Sequence, residues 1–378
     1  MSKILYVNQA QLNDPNIAPV LPTLNSCFDW KRYQDLISLN LHAGAFYWRT
    51  GTNNFPFKND LIDSYGFGVP TYDPSFDLSF TDITDQLACD LLKTKMDKPW
   101  LMLYSGGIDS TVMIVALLKN LSKHELSNVV IACSQHSVVE NPRFFYDHIR
   151  PNFQIVDSTG IQFGQDMLQK YHTFEGEPAD MLYGPGAKLV MTNGNQSLLK
   201  DWRKDPDELL HCFERVCGKG NSRWYYELAR ENIDSTGIPV NNYYDFFWWK
   251  AFNLWWPGVI IQAFRKYQKY DGYTTLETFR NNFNGWYNTA EYQLWAMNNH
   301  LDVRYSTNLA HRKLGSKQYI YDFDRNEHYY HFKTKSASIG RRENSKSWFC
   351  LTDDNQSLYL DRDLDQILRL LPDHINRS

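Results

Sequence analysis

The chain lacks the signatures of a disulfide scaffold, a zinc finger and a dithiol redox centre. Its 378 residues hold six cysteines, at 27, 89, 133, 212, 217 and 350, scattered and with no C-x-x-C among them. A chain of this size without a cysteine framework fits a reducing, cytoplasmic compartment. No stretch approaches the ~18 consecutive apolar residues of a membrane span. The start, Met1 to Gln9, is apolar for too few residues to act as a signal peptide. Positive charge is not in excess: 39 Lys and Arg stand against 43 Asp and Glu, a formal charge of −4, which argues against a nucleic-acid backbone as partner. Neither an internal repeat nor a low-complexity tract is present. Two familiar nucleotide loops are also missing, the Walker A spacing G-x-x-x-x-G-K-[ST] and the dinucleotide pattern G-x-G-x-x-G.

What is present is an ordinary globular composition with many aromatic residues. Hydrophobic residues make up 43% and charged residues 22%, which rules out disorder as the main state. The 12 Trp, 24 Tyr and 22 Phe point to large aromatic packing surfaces. The length allows two domains at ~100–200 residues each. Residues 1–80 read as a loop-rich segment punctuated by Pro15, Pro19, Pro22, Pro56, Pro70 and Pro74, with short strands at Lys3–Asn8 and Ala45–Arg49. Residues 81–200 read as an α/β core, and residues 201–378 as a mostly helical part.

The α/β reading rests on a run of elements. Ile83, Leu87 and Leu91 recur every four residues and predict a helix to about Met96, with Thr81 or Asp82 as its cap. Pro99 ends it. Trp100–Tyr104 reads as a buried strand, Thr111–Leu121 as a helix covered on most faces, and Val129–Ser134 and Phe153–Asp157 as further strands. Strand, helix, strand at this spacing is a βαβ unit, so a parallel sheet is expected. In the second half, Asp205-Pro-Asp-Glu208 signals a helix start and Gly218 its stop. Residues 243–270 are apolar on every face and so expected to be buried. Leu360, Leu364, Ile367, Leu368 and Leu371 predict a last helical face.

The sharpest chemical signal is Tyr104-Ser-Gly-Gly-Ile-Asp-Ser-Thr111, between strand and helix. Gly106 and Gly107 permit a tight turn and a close approach of backbone N–H groups to a ligand. The following helix aims its positive end at the same point. Ser105, Ser110 and Thr111 add hydroxyls. Asp109 cannot help an anion directly, but it suits magnesium, which prefers carboxylate, water and phosphate oxygens. Together these residues would hold a polyphosphate and its metal. The plain alternative is a serine-rich turn with no ligand. Ser134 stands at the carboxyl end of the second strand, where a doubly wound sheet receives part of its nucleotide.

Ser105-Gly-Gly-Ile-Asp-Ser110 resembles the S-G-G-x-D-S loop of the PP-loop ATP pyrophosphatases, whose fold is adenine nucleotide alpha hydrolase-like (HUP-type). Members split ATP between its α and β phosphates. Glu175-Gly-Glu-Pro-Ala-Asp-Met-Leu-Tyr-Gly184 resembles the G-E-G-A-D-E-L-F-G stretch of asparagine synthetase and β-lactam synthetase, with Pro178 and Met181 as departures. This second resemblance implies that Gly176 belongs to the nucleotide loop, that Asp180 joins Asp109 on the metal, and that Glu177 sits beside the reacting carbonyl. Leu189-Val-Met-Thr-Asn-Gly194 is a rival position for the second loop, since Tyr171–Phe174 makes a poor strand before it.

The likeness implies a C-terminal lysine at the α-phosphate, for which Lys333 and Lys335 are both candidates. It covers roughly residues 80–345 and fades before them, so a glutaminase half is missing or much reduced. Residue 2 is Ser, where a glutaminase would expose a Cys. The nitrogen would then come from free ammonia, another amine, or a separate glutaminase. The chain's style is also similar to asparagine synthetase-like proteins of bacteriophages.

The resemblance therefore implies an ATP- and magnesium-dependent, AMP-forming ligase joining a small-molecule carboxylate to ammonia or an amine. Two alternatives are a nucleobase- or tRNA-modifying enzyme built on the same loop, and a nucleotide-binding module without turnover. His328 and His331, spaced H-x-x-H, have no third zinc ligand nearby in sequence.

Overall fold

The structure, a computed structural model, describes residue 49, residues 68–94, 97–158 and 165–184, most of 200–298, residues 313–333, and the backbone of strands at 347–351 and 357–361. The expected strand at Lys3–Asn8, most of that at Ala45–Arg49, the rival loop at Leu189–Gly194, the helix stop at Gly218, and Lys335 lie outside the described residues.

Two compact units emerge, and they interleave along the chain. One comprises 78–177, 267–287 and 308–378, and the other 1–77, 178–266 and 288–307. They do not coincide with the consecutive segments 1–80, 81–200 and 201–378.

The first unit holds a five-stranded sheet in which every pairing is parallel: β1 (Trp100–Leu103), β2 (Val129–Cys133), β3 (Gln154–Asp157), β4 (His172–Glu175) and β5 (Phe283–Gly285). The order is β3-β2-β1-β4-β5. Trp100 pairs with Val129 on one side and His172 on the other, so β1 is central. The chain steps outward from β1 through β2 to β3, then returns to lay β4 on the other side of β1. Such a reversal leaves a crevice at the carboxyl ends of the strands, where open α/β sheets bind ligands.

The expected strands are found at 100–103, 129–133 and 154–157, each within about a residue of its reading. Tyr171–Phe174, read as a poor strand, contributes β4. Its histidine is accommodated from outside the strand. His172 is buried with Nε2 2.7 Å from Asp97 Oδ1, and Phe174 packs against Trp100 and Trp286 at ring distances of 5.1 and 6.2 Å.

The first helix runs Phe80–Thr94. Its cap is neither Thr81 nor Asp82 but Ser79. Asp82 N donates to Ser79 Oγ (3.1 Å), and Ser79 N donates back to Asp82 Oδ2 (3.2 Å), a reciprocal capping pair. Helix Ile108–Asn120, buried from Ser110 to Leu117, packs against Phe80–Thr94 and against helix Leu314–Asp324. Asp85 links the three: Lys119 Nζ lies 3.0 Å away, Asn120 Nδ2 donates at 2.8 Å, and the Tyr319 hydroxyl donates to the same carboxylate.

The second unit is an aromatic core. Every residue of helix Tyr243–Lys250 is buried, and a wide π turn continues it over Ala251–Trp255. Trp202, Trp248 and Trp256 are fully buried, and each indole N–H finds an acceptor, on Val240 O, Leu182 O and Asn288 Oδ1 respectively. Arg49 lies under the same cluster, its guanidinium 4.4 Å from the Trp256 ring centroid and bonded to Phe252 O at 2.9 Å. Burial lowers its pKa to about 9.

Two strands close the described chain, and the second takes in Leu360 of the expected last helical face, whose Leu364, Ile367, Leu368 and Leu371 lie outside the described residues. β6 (Ser347–Leu351) and β7 (Ser357–Asp361) pair antiparallel, with Trp348 opposite Leu360. Leu358 and Leu360 alternate along β7, so Leu360 belongs to a strand, whose period is two, rather than to the helical face read from its four-residue spacings. Among the described residues no helix is long and apolar enough to cross a membrane.

Candidate functional site

The loop at residues 104–107 leaves the carboxyl end of the central strand, at the reversal in strand order. Tyr104 N still donates to Ala132 O at 2.9 Å, so the chain turns only after it. Gly106 then adopts φ +76°. A Cβ there would sit 2.3 Å from Ser137 O and 2.6 Å from Glu140 Cβ, so only glycine fits. Gly107 is the residue before helix Ile108–Asn120.

Hydroxyls lock this turn. Ser110 Oγ donates to Gly107 O and accepts from Ser105 N, both at 3.1 Å, and Thr111 Oγ1 donates to Gly107 O at 2.9 Å. Ser110 and Thr111 are buried, whereas Ser105 is exposed and Gly107 and Asp109 are half-buried. Thr111 therefore stands behind the loop, where the Tyr329 hydroxyl reaches its Oγ1 at 3.5 Å. Burial pushes the Tyr329 and Tyr104 phenols far above their ordinary values, so both stay neutral.

The neighbouring strand ends close around this loop. Ser134, after β2, caps helix Gln135–Glu140 through a reciprocal pair with Ser137, and Ser137 is the residue whose carbonyl excludes a side chain at Gly106. Gly176, after β4, lies so near that a Cβ on it would meet Asp109 Cβ and Ser110 N at 3.1 Å. The structure thus brings Ser105, Gly106, Gly107, Asp109, Ser110, Ser134 and Gly176 to one end of one sheet. Glu177 follows Gly176 and is half-buried. Asp180 lies in the first turn of helix Ala179–Tyr183, which belongs to the other unit.

Two lysines hold the loop's aspartate and its wall, and a third lies on the helix that packs beside the one leaving the loop. Lys333 Nζ is 2.6 Å from Glu140 Oε1 and 3.3 Å from Glu140 O, with both side chains buried. Burial lowers the Lys333 pKa, and Glu140 opposes that shift. The other two were not singled out from sequence. Lys313 Nζ lies 2.6 Å from Asp109 Oδ1 and bonds the second carboxylate oxygen as well. Lys317, one helical turn on, is buried, and burial together with the Lys333 charge lowers its pKa to about 8. Their i, i+4 spacing in Lys313-Leu-Gly-Ser-Lys317 was a visible signal. What was not visible is that this helix packs on the helix leaving the loop.

Magnesium commonly takes one or two carboxylates and fills its remaining positions with water and phosphate oxygens. Asp109 supplies one carboxylate, on a backbone fixed by Tyr287 Oη, which donates to Asp109 O at 3.0 Å. Among the described residues no group of three His, Cys, Asp or Glu could hold a metal ion. His331 instead pairs with Glu327 at 3.2 Å. Asp109 fits a magnesium ion whose remaining positions are filled by water and phosphate oxygens.

Comparison with protein-family models, with curated proteins and with solved structures returned no match.

Proposed function

We propose that this chain is an ATP-dependent, AMP-forming carboxylate–amine ligase of the PP-loop type, on an adenine nucleotide alpha hydrolase-like fold. The observation that carries the reading is the loop Ser105–Ser110. It follows the central strand of an all-parallel sheet, at the strand-order reversal, with a glycine of positive φ and lysines on both flanks. The partly exposed loop, the helix N-terminus and nearby ammonium groups together suit a pyrophosphate leaving group.

In this proposal Ser105, Gly106, Gly107 and Ser110 shape the pyrophosphate cradle, and Thr111 holds it from behind. Ser134 borders the nucleoside side. Magnesium, when bound, would neutralise charge on the leaving group, with Asp109 as its carboxylate. Asp180 as a second ligand rests on the sequence motif, as does Glu177 as the acid/base or positioning group at the carbonyl. Lys313, on Asp109, would turn to the phosphates, and Lys317, on the same helix, would add positive charge behind it. Lys333, held on Glu140, would brace the wall of the loop. The substrate would be a small carboxylate, the acceptor ammonia or an amine, and the compartment cytoplasmic.

The test is the identity of the nucleotide product. Incubation with ATP, magnesium, a mixture of carboxylates and ammonia should yield AMP and pyrophosphate in equal amounts, and Asp109→Asn should abolish both. ADP and phosphate as the products would overturn the proposal.

A further inference from the structure

We infer that Lys313 is an internal stand-in for the divalent cation, neutralising Asp109 until a metal-bound polyphosphate displaces it. The inference rests on the PP-loop reading and adds an order of events to it. Asp109 is the one carboxylate of the loop, and Lys313 bonds both of its oxygens. The pair is sheltered, with side-chain exposures of 9% for Lys313 and 25% for Asp109, so solvent screens it little.

The two partners differ in freedom. Asp109 is fixed: Gly176 packs on its Cβ, and Tyr287 holds its backbone carbonyl. Lys313 is a flexible four-carbon stem on a backbone at φ 58°, ψ 44°, a left-handed conformation that is uncommon outside glycine and is held here by its surroundings. On displacement it is therefore the ammonium that moves, and the phosphate oxygens arriving with the metal are its natural new partner. A metal alone would have to expel the ammonium without offering it an anion. Metal and polyphosphate should consequently bind as a unit.

The experiment measures Mn2+ binding to the full-length protein by electron paramagnetic resonance, without nucleotide. Lys313→Gly removes the ammonium and suits the left-handed backbone, so it should fold. Lys313→Gln is the second variant. Both should bind Mn2+ more tightly than the wild type by about tenfold or more, the range of an ordinary coupling between two ligands. The gain should vanish when Asp109→Asn is added. Equal or weaker Mn2+ binding in both variants, or a gain that survives Asp109→Asn, would overturn the inference. ATP binding by the wild type is measured separately by calorimetry. Its absence would defeat the nucleotide reading while leaving the Mn2+ comparison readable.

Discussion

Lys333 and Glu140 form a buried ion pair, 2.6 Å from Nζ to Oε1, and the Glu140 side chain fills the space that a Cβ on Gly106 would need. The pair is a wall of the loop, and its integrity should be read first as stability. A buried pair broken on one side leaves an uncompensated charge, at a cost of about 3–5 kcal/mol. Glu140→Leu and Lys333→Met are each expected to destabilise by roughly that amount in urea titrations. The double variant should recover much of the loss, because both charges leave together. Additive losses in the double-mutant cycle would contradict the coupling.

Gly106 should tolerate no side chain. Alanine there would meet backbone, Ser137 O at 2.3 Å, which cannot rotate away, and would have to adopt φ +76°. Gly106→Ala should lower stability by at least about 2 kcal/mol and abolish nucleotide binding. Calorimetric titration with ATP beside a urea melt checks both. Wild-type affinity in the variant would show that the turn is not part of the site.

Lys317 sets a pH dependence. Its pKa is lowered from 10.5 to about 8, so between those values the unfolded chain binds more protons than the folded one. The burden of burying this charge is full below about pH 8 and is relieved as pH rises toward 10.5, so this group makes stability rise with pH across the window. Pyrophosphate affinity should move the other way and weaken above about pH 8 as the ammonium is lost. Lys317→Arg, which stays charged, should flatten the affinity profile. An unchanged profile in that variant would assign the titration elsewhere.

Much of this fold was legible because its central strands are short, uninterrupted apolar runs. Trp100–Leu103 and Val129–Cys133 carry no charged residue and are framed by Pro99 and by the loop after Leu121. β4 was obscured because His172 and Thr173 are polar, and their burial depends on Asp97 and on flanking strands distant in sequence. β5 is three residues, Phe283–Gly285, and register with β4 alone makes it a strand. The Ser79 cap was readable, since S-x-x-D precedes the first apolar position, but Thr81 and Asp82 stood nearer the repeat.

The site divides in the same way. The glycine–serine–aspartate loop is local and could be read residue by residue. The lysines around it could not, because a buried lysine and a solvated one look alike in sequence. Lys333 stood out in a basic stretch, yet its ammonium is held on Glu140. Lys313 reaches the loop only through the packing of one helix on another, which also buries Lys317.

The most direct test of the central claim is exchange of labelled pyrophosphate into ATP, with magnesium, against a panel of carboxylates that includes aspartate and glutamate. It needs only the first half-reaction, so the amine need not be known. The account predicts exchange that depends on one acid, lost in Asp109→Ala and weakened in Lys317→Met. Pyrophosphate exchange absent with every acid, despite measurable ATP binding, would contradict carboxylate activation and favour a nucleobase modifier or a binding module without turnover.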